Sequence, residues 1–354
     1  MMKAAVYVGN QTVLVEEIET PQAGPGELLV RVEACGICHT DLKKIEYDLL
    51  PAPRIYGHET AGVVVEIGEG VSDFRKGDRV VAFHHIPCDN CFYCARKLFA
   101  QCPVYKKVGI TAGYEAAGGG FAQYVRIMDW IVRRGVERIP EGASFELATL
   151  VEPFNTVHKA VVQANPKSGD VCLVMGQGPI GLLFTILLHR AGARVIATDT
   201  MQSRLTLARS CGAEEAWNPL QTPDLQARIR GLTDGRGADM VAVAVSAPGI
   251  VDEAVRLSRP GAGILLFSQT SAKERIEVSG ADICVGERCL FGSYSASVDL
   301  QKESARLVFG GKLPLEKLIS HRLPLDQIQS GFELARRPDE TSLKIVIQPQ
   351  RWSW

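Results

Sequence analysis

Four cysteines, Cys88, Cys91, Cys94 and Cys102, follow one another as C-x2-C-x2-C-x7-C. Thiolates this close in sequence oblige their segment to fold as a loop around one point. They can wrap a single tetrahedral Zn²⁺ with no position left open, the pattern of a structural rather than a catalytic site. A redox role for Cys91 and Cys94 is the alternative, but the two flanking thiols favour a metal. The N-terminal segment MMKAAVYVGNQTVLVEE alternates like a strand and has no secretory apolar core, so a cytoplasmic protein without a disulfide framework is expected. Cys35, Cys172, Cys211, Cys284 and Cys289 then read as small buried hydrophobes.

A chain of 354 residues suggests about two domains. Its formal net charge of −1 leaves no electrostatic footprint for nucleic acid or an anionic membrane. No apolar run reaches the ~18 residues of a membrane span.

Over the first 150 residues or so, alternating runs such as LLVRVEACGIC, AGVVVEIG and RVVAF are cut at short intervals by glycine and proline, as in a β-rich lobe. Near Ala148 the texture becomes helical in LATLVEPFNTVHKAV. From Asp170 strand and helix alternate. Strands are expected at 171–175, 194–198, 240–245 and 263–267, with helices at 179–191, 203–211 and 250–257. That order predicts an α/β fold with a doubly wound parallel sheet. After about residue 295 a helix, loops and the strand SLKIVIQ close the chain, and the tail ends on Trp352 and Trp354.

Gly176, Gly178 and Gly181 spell G-x-G-x-x-G between the strand VCLVM and a helix opening with Pro179 and Ile180. The first glycine permits a tight turn, and the second lets a pyrophosphate approach the backbone. The third allows close helix–strand packing, with the helix N-terminus facing the phosphates. Asp199 ends the next strand, where a carboxylate accepts ribose hydroxyls and repels a 2′-phosphate. NAD is therefore favoured over NADP. Arg204 is placed to serve a 2′-phosphate, cover the adenine or cap its helix.

A second group of ligand-type residues consists of Cys38 in CGICHTD, His58 and Glu59 in GHE, and Glu152 in VEPF. A thiolate, an imidazole and a carboxylate leave a fourth position for water or a substrate oxygen, the pattern of a catalytic metal. Cys35 and Cys38 also form a CxxC, but no paired CxxC follows at that spacing.

Together these segments resemble the zinc-dependent medium-chain alcohol and polyol dehydrogenases, in the branch of the sorbitol, threonine and butanediol enzymes. The resemblance runs through GPGELLVRVEACGICHTD, GHETAGVVVEIGEGV, FRKGDRV, the four-cysteine loop, VEPF and VMGQGPIGLL. It implies a GroES-like catalytic domain over 1–152 and a Rossmann coenzyme domain over 153–295. Residues 296–354 then return to the catalytic domain.

By the same resemblance Cys38 and His58 bind a catalytic zinc. Glu59 binds it or swings in during exchange, and Glu152 stands where other members carry a cysteine. Thr40 takes the substrate proton, and Thr156 lies behind the nicotinamide. Lys43 occupies the place of a relay histidine. His85 resembles a pocket histidine of threonine dehydrogenases, and one of His84 and His85 is expected to face solvent from a strand.

The activity so implied is reversible NAD-linked oxidation of a secondary alcohol or polyol to a ketone, by a homodimer or homotetramer in which each chain holds one catalytic and one structural zinc. Two other readings stay open. One is a charged substrate, a hydroxy amino acid or sugar phosphate, met by Lys43, Lys44 and Arg54. The other is a non-catalytic NAD- and zinc-binding protein.

Overall fold

The computed structural model describes residues 1–105, 107, 109–114, 118–268 and 275–351. Trp352 and Trp354 lie outside them. The chain divides into two compact units, one made of Met1–Asn155 with Ala296–Trp354, the other of Thr156–Ser295.

The discontinuous unit is built on an eight-stranded sheet. Strand Leu28–Gly36 runs antiparallel to Glu59–Ile67, from Leu28 opposite Ile67 to Gly36 opposite Glu59. Val30, Val32 and Ala34 are buried while Arg31 and Glu33 are not, the period-two burial that the alternation predicts. Arg79–Ala82 and then Val136–Arg138 extend the sheet on one side.

On the other side lies Lys344–Gln348, antiparallel to the first strand at Cys35 and Gly36 and parallel to Ile319–Pro324. All five of its residues are buried, so a strand close to the C-terminus sits inside the sheet rather than on its rim. A three-stranded sheet of Thr12–Ile18, Met2–Gly9 and Arg54–Ile55 accompanies it. Tyr7, Tyr56, Tyr105, Phe83, Phe121 and Phe332 are among the largest fully buried side chains of this core.

The second unit is a six-stranded parallel sheet. Its spatial order is Ala213–Trp217, Arg194–Thr198, Val171–Met175, Ala238–Val243, Ser258–Leu266 and Cys289–Gly292. The earliest strand in the chain is central, and later strands are added first to one side and then to the other. The strand order thus reverses beside Val171–Met175, the place where doubly wound sheets bind ligands at their C-terminal strand ends. That strand is buried throughout, and helix Pro179–Arg190 is buried continuously from Gly181 to Leu188.

Several elements depart from their sequence-based expectation. The helical stretch near Ala148 is two helices, Phe145–Thr149 and Val151–Ala164, the first capped by Ser144 Oγ accepting from Leu147 N at 3.1 Å. Strand Ser258–Leu266 starts well before 263, through Arg259, Pro260 and Gly261, which no β pattern marks. Among the described residues after 295 there are two α-helices, Gln301–Phe309 and Ile328–Arg336, not one.

Cys35, Cys172 and Cys211 are buried as expected, but Cys284 and Cys289 are exposed. Cys284 ends the short helix Gly280–Cys284, which buries no residue, and Cys289 lies on the edge strand of the parallel sheet. No helix among the described residues is long and apolar enough to cross a membrane.

Candidate metal and nucleotide sites

Cys38 is the N-cap of helix His39–Glu46, and its sulfur accepts from Thr40 N at 3.5 Å. His58 and Glu59 arrive at the start of the facing strand. Donor atoms of Cys38, His58 and Glu59 all lie within 4.8 Å of one another. This approach depends on Gly36, where a Cβ would stand 1.9 Å from Glu59 Oε2 and 2.8 Å from Lys344 Cε.

Asp41, on the same helix as Cys38 and fully buried, places Oδ1 2.9 Å from His58 Nδ1. With Nδ1 so engaged, Nε2 is the nitrogen left for a ligand, the arrangement that orients metal-binding imidazoles. Burial opposes the charge on both partners. Asp41 and Cys38 nevertheless raise the His58 pKa well above its ordinary value, and His58 and Lys44 hold Asp41 below the usual carboxylate range.

Glu59 forms a buried ion pair with Lys344, whose Nζ also donates to Ile37 O at 3.0 Å. Burial pushes the Glu59 carboxyl up, and Lys344 opposes it. For Lys344 burial works against the charge but is outweighed by Glu59 and Cys38, so its pKa is raised.

Glu152, in the first turn of Val151–Ala164, stands outside the three-residue cluster. Burial, with help from Glu59 and Asp41, pushes its carboxyl up to about 7 against the pull of His58 and Lys344. Thr40 and Lys43 are half-buried on the Cys38 helix.

His84 and His85 follow the strand that ends at Ala82, so neither is the solvent-facing strand residue expected of one of them. Ring centroids run from His58 to His84 at 5.0 Å, to His85 at 3.8 Å and on to Tyr105 at 4.8 Å. Burial, aided by His85, His58 and Lys44, takes the His84 pKa well below that of an ordinary histidine.

The four-cysteine loop brings its donors together as its spacing predicts. Sulfurs of Cys91 and Cys94 are 3.5 Å apart, those of Cys102 and Cys88 3.5 Å, and those of Cys88 and Cys94 3.9 Å. Backbone N–H groups of Cys88 and Cys94 point at the sulfurs of Cys102 and Cys91. The Cys94 N–H leads in lowering the Cys91 thiol to about 7, while burial leads in pushing Cys94 up to about 12. Four ionised sulfurs at these distances repel one another, so the donor set fits a divalent cation. Phe92, Tyr93 and Leu98 in the same loop are exposed, so the loop has little core of its own.

In the parallel-sheet unit, Gly176 has φ +89°, and a Cβ there would meet Val245 Cβ at 2.8 Å. Gly178 is the N-cap of the helix and Pro179 its first residue, with Ile180 half-buried beside it. A Cβ on Gly181 would lie 1.8 Å from Gly176 O. Asp199 accepts from Gln177 N at 2.6 Å and from Met201 N at 2.9 Å, and Arg204 Nη1 lies 3.8 Å from its Oδ2. Arg204 is thus directed to Asp199. Thr156 is half-buried on its helix within this unit. Gln177, which carried no sequence signal, closes the glycine turn by donating to Val174 O and accepting from Thr185 Oγ1.

Residues 24–136 match the alcohol dehydrogenase GroES-like domain and residues 179–309 the zinc-binding dehydrogenase domain. A (R,R)-butanediol dehydrogenase of Neisseria gonorrhoeae is 30% identical over 98% of this chain and 99% of its own length. The chain belongs to the zinc-binding medium-chain alcohol dehydrogenase family. An L-threonine 3-dehydrogenase of Pyrococcus horikoshii is also similar, 31% identical over 90% of this chain and 91% of that one. Among solved structures, a zinc-binding dehydrogenase of Sinorhizobium meliloti bound to NADP superposes with a TM-score of 0.87 at 28% identity, covering 99% of each chain. As a medium-chain dehydrogenase the protein is an oxidoreductase with a GroES-like unit and a Rossmann sheet. Sequence reasoning passed over two residues of the metal cluster as well as Gln177. Asp41 lay unnoticed inside CGICHTD, and Lys344 is too far along the chain for any spacing to mark.

Proposed function

We propose that the protein is a zinc-dependent dehydrogenase that oxidises a secondary alcohol or polyol to a ketone, reversibly and with NAD. The observation that carries this reading is the cluster of half-buried Cys38 with buried His58 and Glu59, with Asp41 behind the imidazole. One thiolate, one imidazole and one carboxylate suit zinc with a position left open. Cys38 and His58 hold it together with Glu59 or Glu152, and Cys88, Cys91, Cys94 and Cys102 hold a second, structural zinc.

In the first site zinc supplies a positive charge that acidifies an oxygen beside it, on the scale of water moving from 15.7 to about 7. Thr40 Oγ1 accepts the proton of the substrate hydroxyl as it gives up its own, which leaves through ribose hydroxyls with which Lys43 acts, or through water. Lys344 holds the Glu59 carboxyl in place and opposes the burial that pushes it up.

NAD supplies the hydride acceptor. The turn from Gly176 to Gly181 and the helix opening at Pro179 cradle its pyrophosphate, and Thr156 backs the nicotinamide. Two backbone N–H groups occupy Asp199, and a carboxylate has about four lone-pair sites, so it still accepts ribose hydroxyls. The Sinorhizobium relative holds NADP, so both coenzymes belong in the test. We further propose a homodimer or homotetramer, joined partly along the edge strand Cys289–Gly292.

The test is nucleotide reduction with NAD⁺ and NADP⁺ over secondary alcohols, polyols, hydroxy amino acids and sugar phosphates, on metal-loaded and chelator-stripped protein. Turnover with NAD⁺ on an alcohol or polyol, lost on stripping and absent in Cys38→Ala and His58→Ala, is the expected result. Turnover surviving complete metal removal sinks the zinc assignment. Turnover confined to threonine-like substrates moves the reading to a charged substrate.

A further inference from the structure

The four-cysteine loop ends, on both sides, in residues that take no part in the proposed chemistry. Its outer ligands, Cys88 and Cys102, bring their sulfurs to 3.5 Å. Three residues before the first stands His85, and three after the second stands Tyr105. Drawing the two sulfurs to one cation therefore draws these two rings together, and their centroids are 4.8 Å apart. His85 lies against His84 at 3.8 Å, and His84 against His58 at 5.0 Å.

The outer end of this row of rings is anchored. Tyr105 is fully buried, its N–H donates to Cys102 O at 3.0 Å, and its hydroxyl donates to Ala296 O at 2.8 Å. One bond ties it to the cysteine loop and the other to the returning C-terminal segment. At the inner end Asp41 holds one edge of the His58 ring, at Nδ1, and packing has to hold the rest. His84 supplies packing there and is itself backed by His85 and Tyr105.

We propose that Tyr105 is a positioning residue for the catalytic metal. It clamps His85, and through His84 it keeps the His58 ring, and with it Nε2, in the orientation a cation needs. A metal in the four-cysteine loop thereby tightens the Cys38 site. This rests on the proposed function, which makes His58 a zinc ligand. The element with two states is the loop. With a cation its ends are held together, and without one nothing offsets the repulsion of its ionised sulfurs. Closely packed rings pass such a displacement on, because a core at crystal-like density has little slack to absorb it. By reciprocity a metal at Cys38 tightens the loop by the same factor.

The experiment places Co²⁺, whose visible bands report ligand type and geometry, at the Cys38 site of protein whose four-cysteine loop holds zinc. The wild type is compared with Tyr105→Leu, Tyr105→Phe, His85→Leu and Phe332→Leu. Phe332 is a fully buried ring of the same core that packs on Phe121, outside the row. Tyr105→Leu and His85→Leu are each expected to shift the bands and to weaken Co²⁺ by about 2- to 30-fold, read by chelator competition. The double variant loses no more than the worse single one, because the row is already cut. Tyr105→Phe keeps the ring and recovers most of the loss. Phe332→Leu lowers the melting temperature but leaves the bands in place.

Unshifted bands in both leucine variants overturn the proposal, as do additive losses in the double variant or an equal shift in Phe332→Leu. If one leucine variant does not fold, the other decides alone. A wild type whose only bound metal is the four-cysteine one removes the underlying reading, and the proposal with it.

Discussion

Lys344 and Glu59 are buried together beside Ile37, whose carbonyl is 307 residues from Lys344 along the chain. Removing one partner of such a pair strands the other charge. Lys344→Ala is expected to lower unfolding free energy by about 3–5 kcal/mol, read from the denaturation midpoint. Lys344→Met combined with Glu59→Gln is expected to recover most of it, and an additive loss in the double variant refutes the coupling. His58 makes a pH prediction. Its raised pKa in the metal-free protein means that below that value a proton occupies the ring, and a cation must displace it. Zinc affinity therefore falls as pH drops, about tenfold per pH unit for each proton released, measured by competition with a chromophoric chelator. The same shift stabilises the metal-free fold fully below the unfolded histidine pKa of about 6.5, and that contribution is lost as pH rises through the raised value. Asp41→Asn is expected to weaken zinc by about 10- to 100-fold with the four-cysteine site unaffected, resolved by counting metals during stepwise chelation.

At the scale of elements, the glycine turn separates packing from binding. A Cβ at Gly181 collides with Gly176 O, whereas at Gly178 it would meet only Arg204 Nη1, at 3.9 Å. Gly181→Ala is expected to destabilise the parallel-sheet unit. Gly178→Ala is expected to leave its melting temperature nearly unchanged while weakening NADH, as isothermal titration and thermal scans will decide. Equal destabilisation by both substitutions contradicts this division. The turn was legible in the sequence because strand, glycines and helix are contiguous, and Val171–Met175 and Arg194–Thr198 are continuous apolar runs with clear ends. Ala213–Trp217 was not, because its AEEAW pattern mixes two glutamates into a partly exposed edge strand. The four-cysteine loop was legible for the same local reason. The cluster of Cys38, His58 and Glu59 was legible only as residue types. Their meeting depends on the pairing of Gly36 with Glu59, and Lys344 joins through a strand from the far end of the chain.

At the scale of the whole molecule, two compact units with separate sheets are expected to unfold in two calorimetric transitions. NADH at 100 times its Kd is expected to stabilise the parallel-sheet unit by about 2.7 kcal/mol, and chelation to lower the transition of the other unit. A single transition that both treatments move together argues against this independence.

The discontinuous unit also sets an order of maturation during translation. Residues 1–155 leave the ribosome first, yet their sheet has a place beside Cys35 and Gly36 that only Lys344–Gln348 fills. The Thr156–Ser295 sheet can close while that place is still waiting, so the half of the protein made later is finished earlier. A message cut short between codons 295 and 344 yields a chain with a complete Rossmann sheet and a GroES-like lobe that cannot shut.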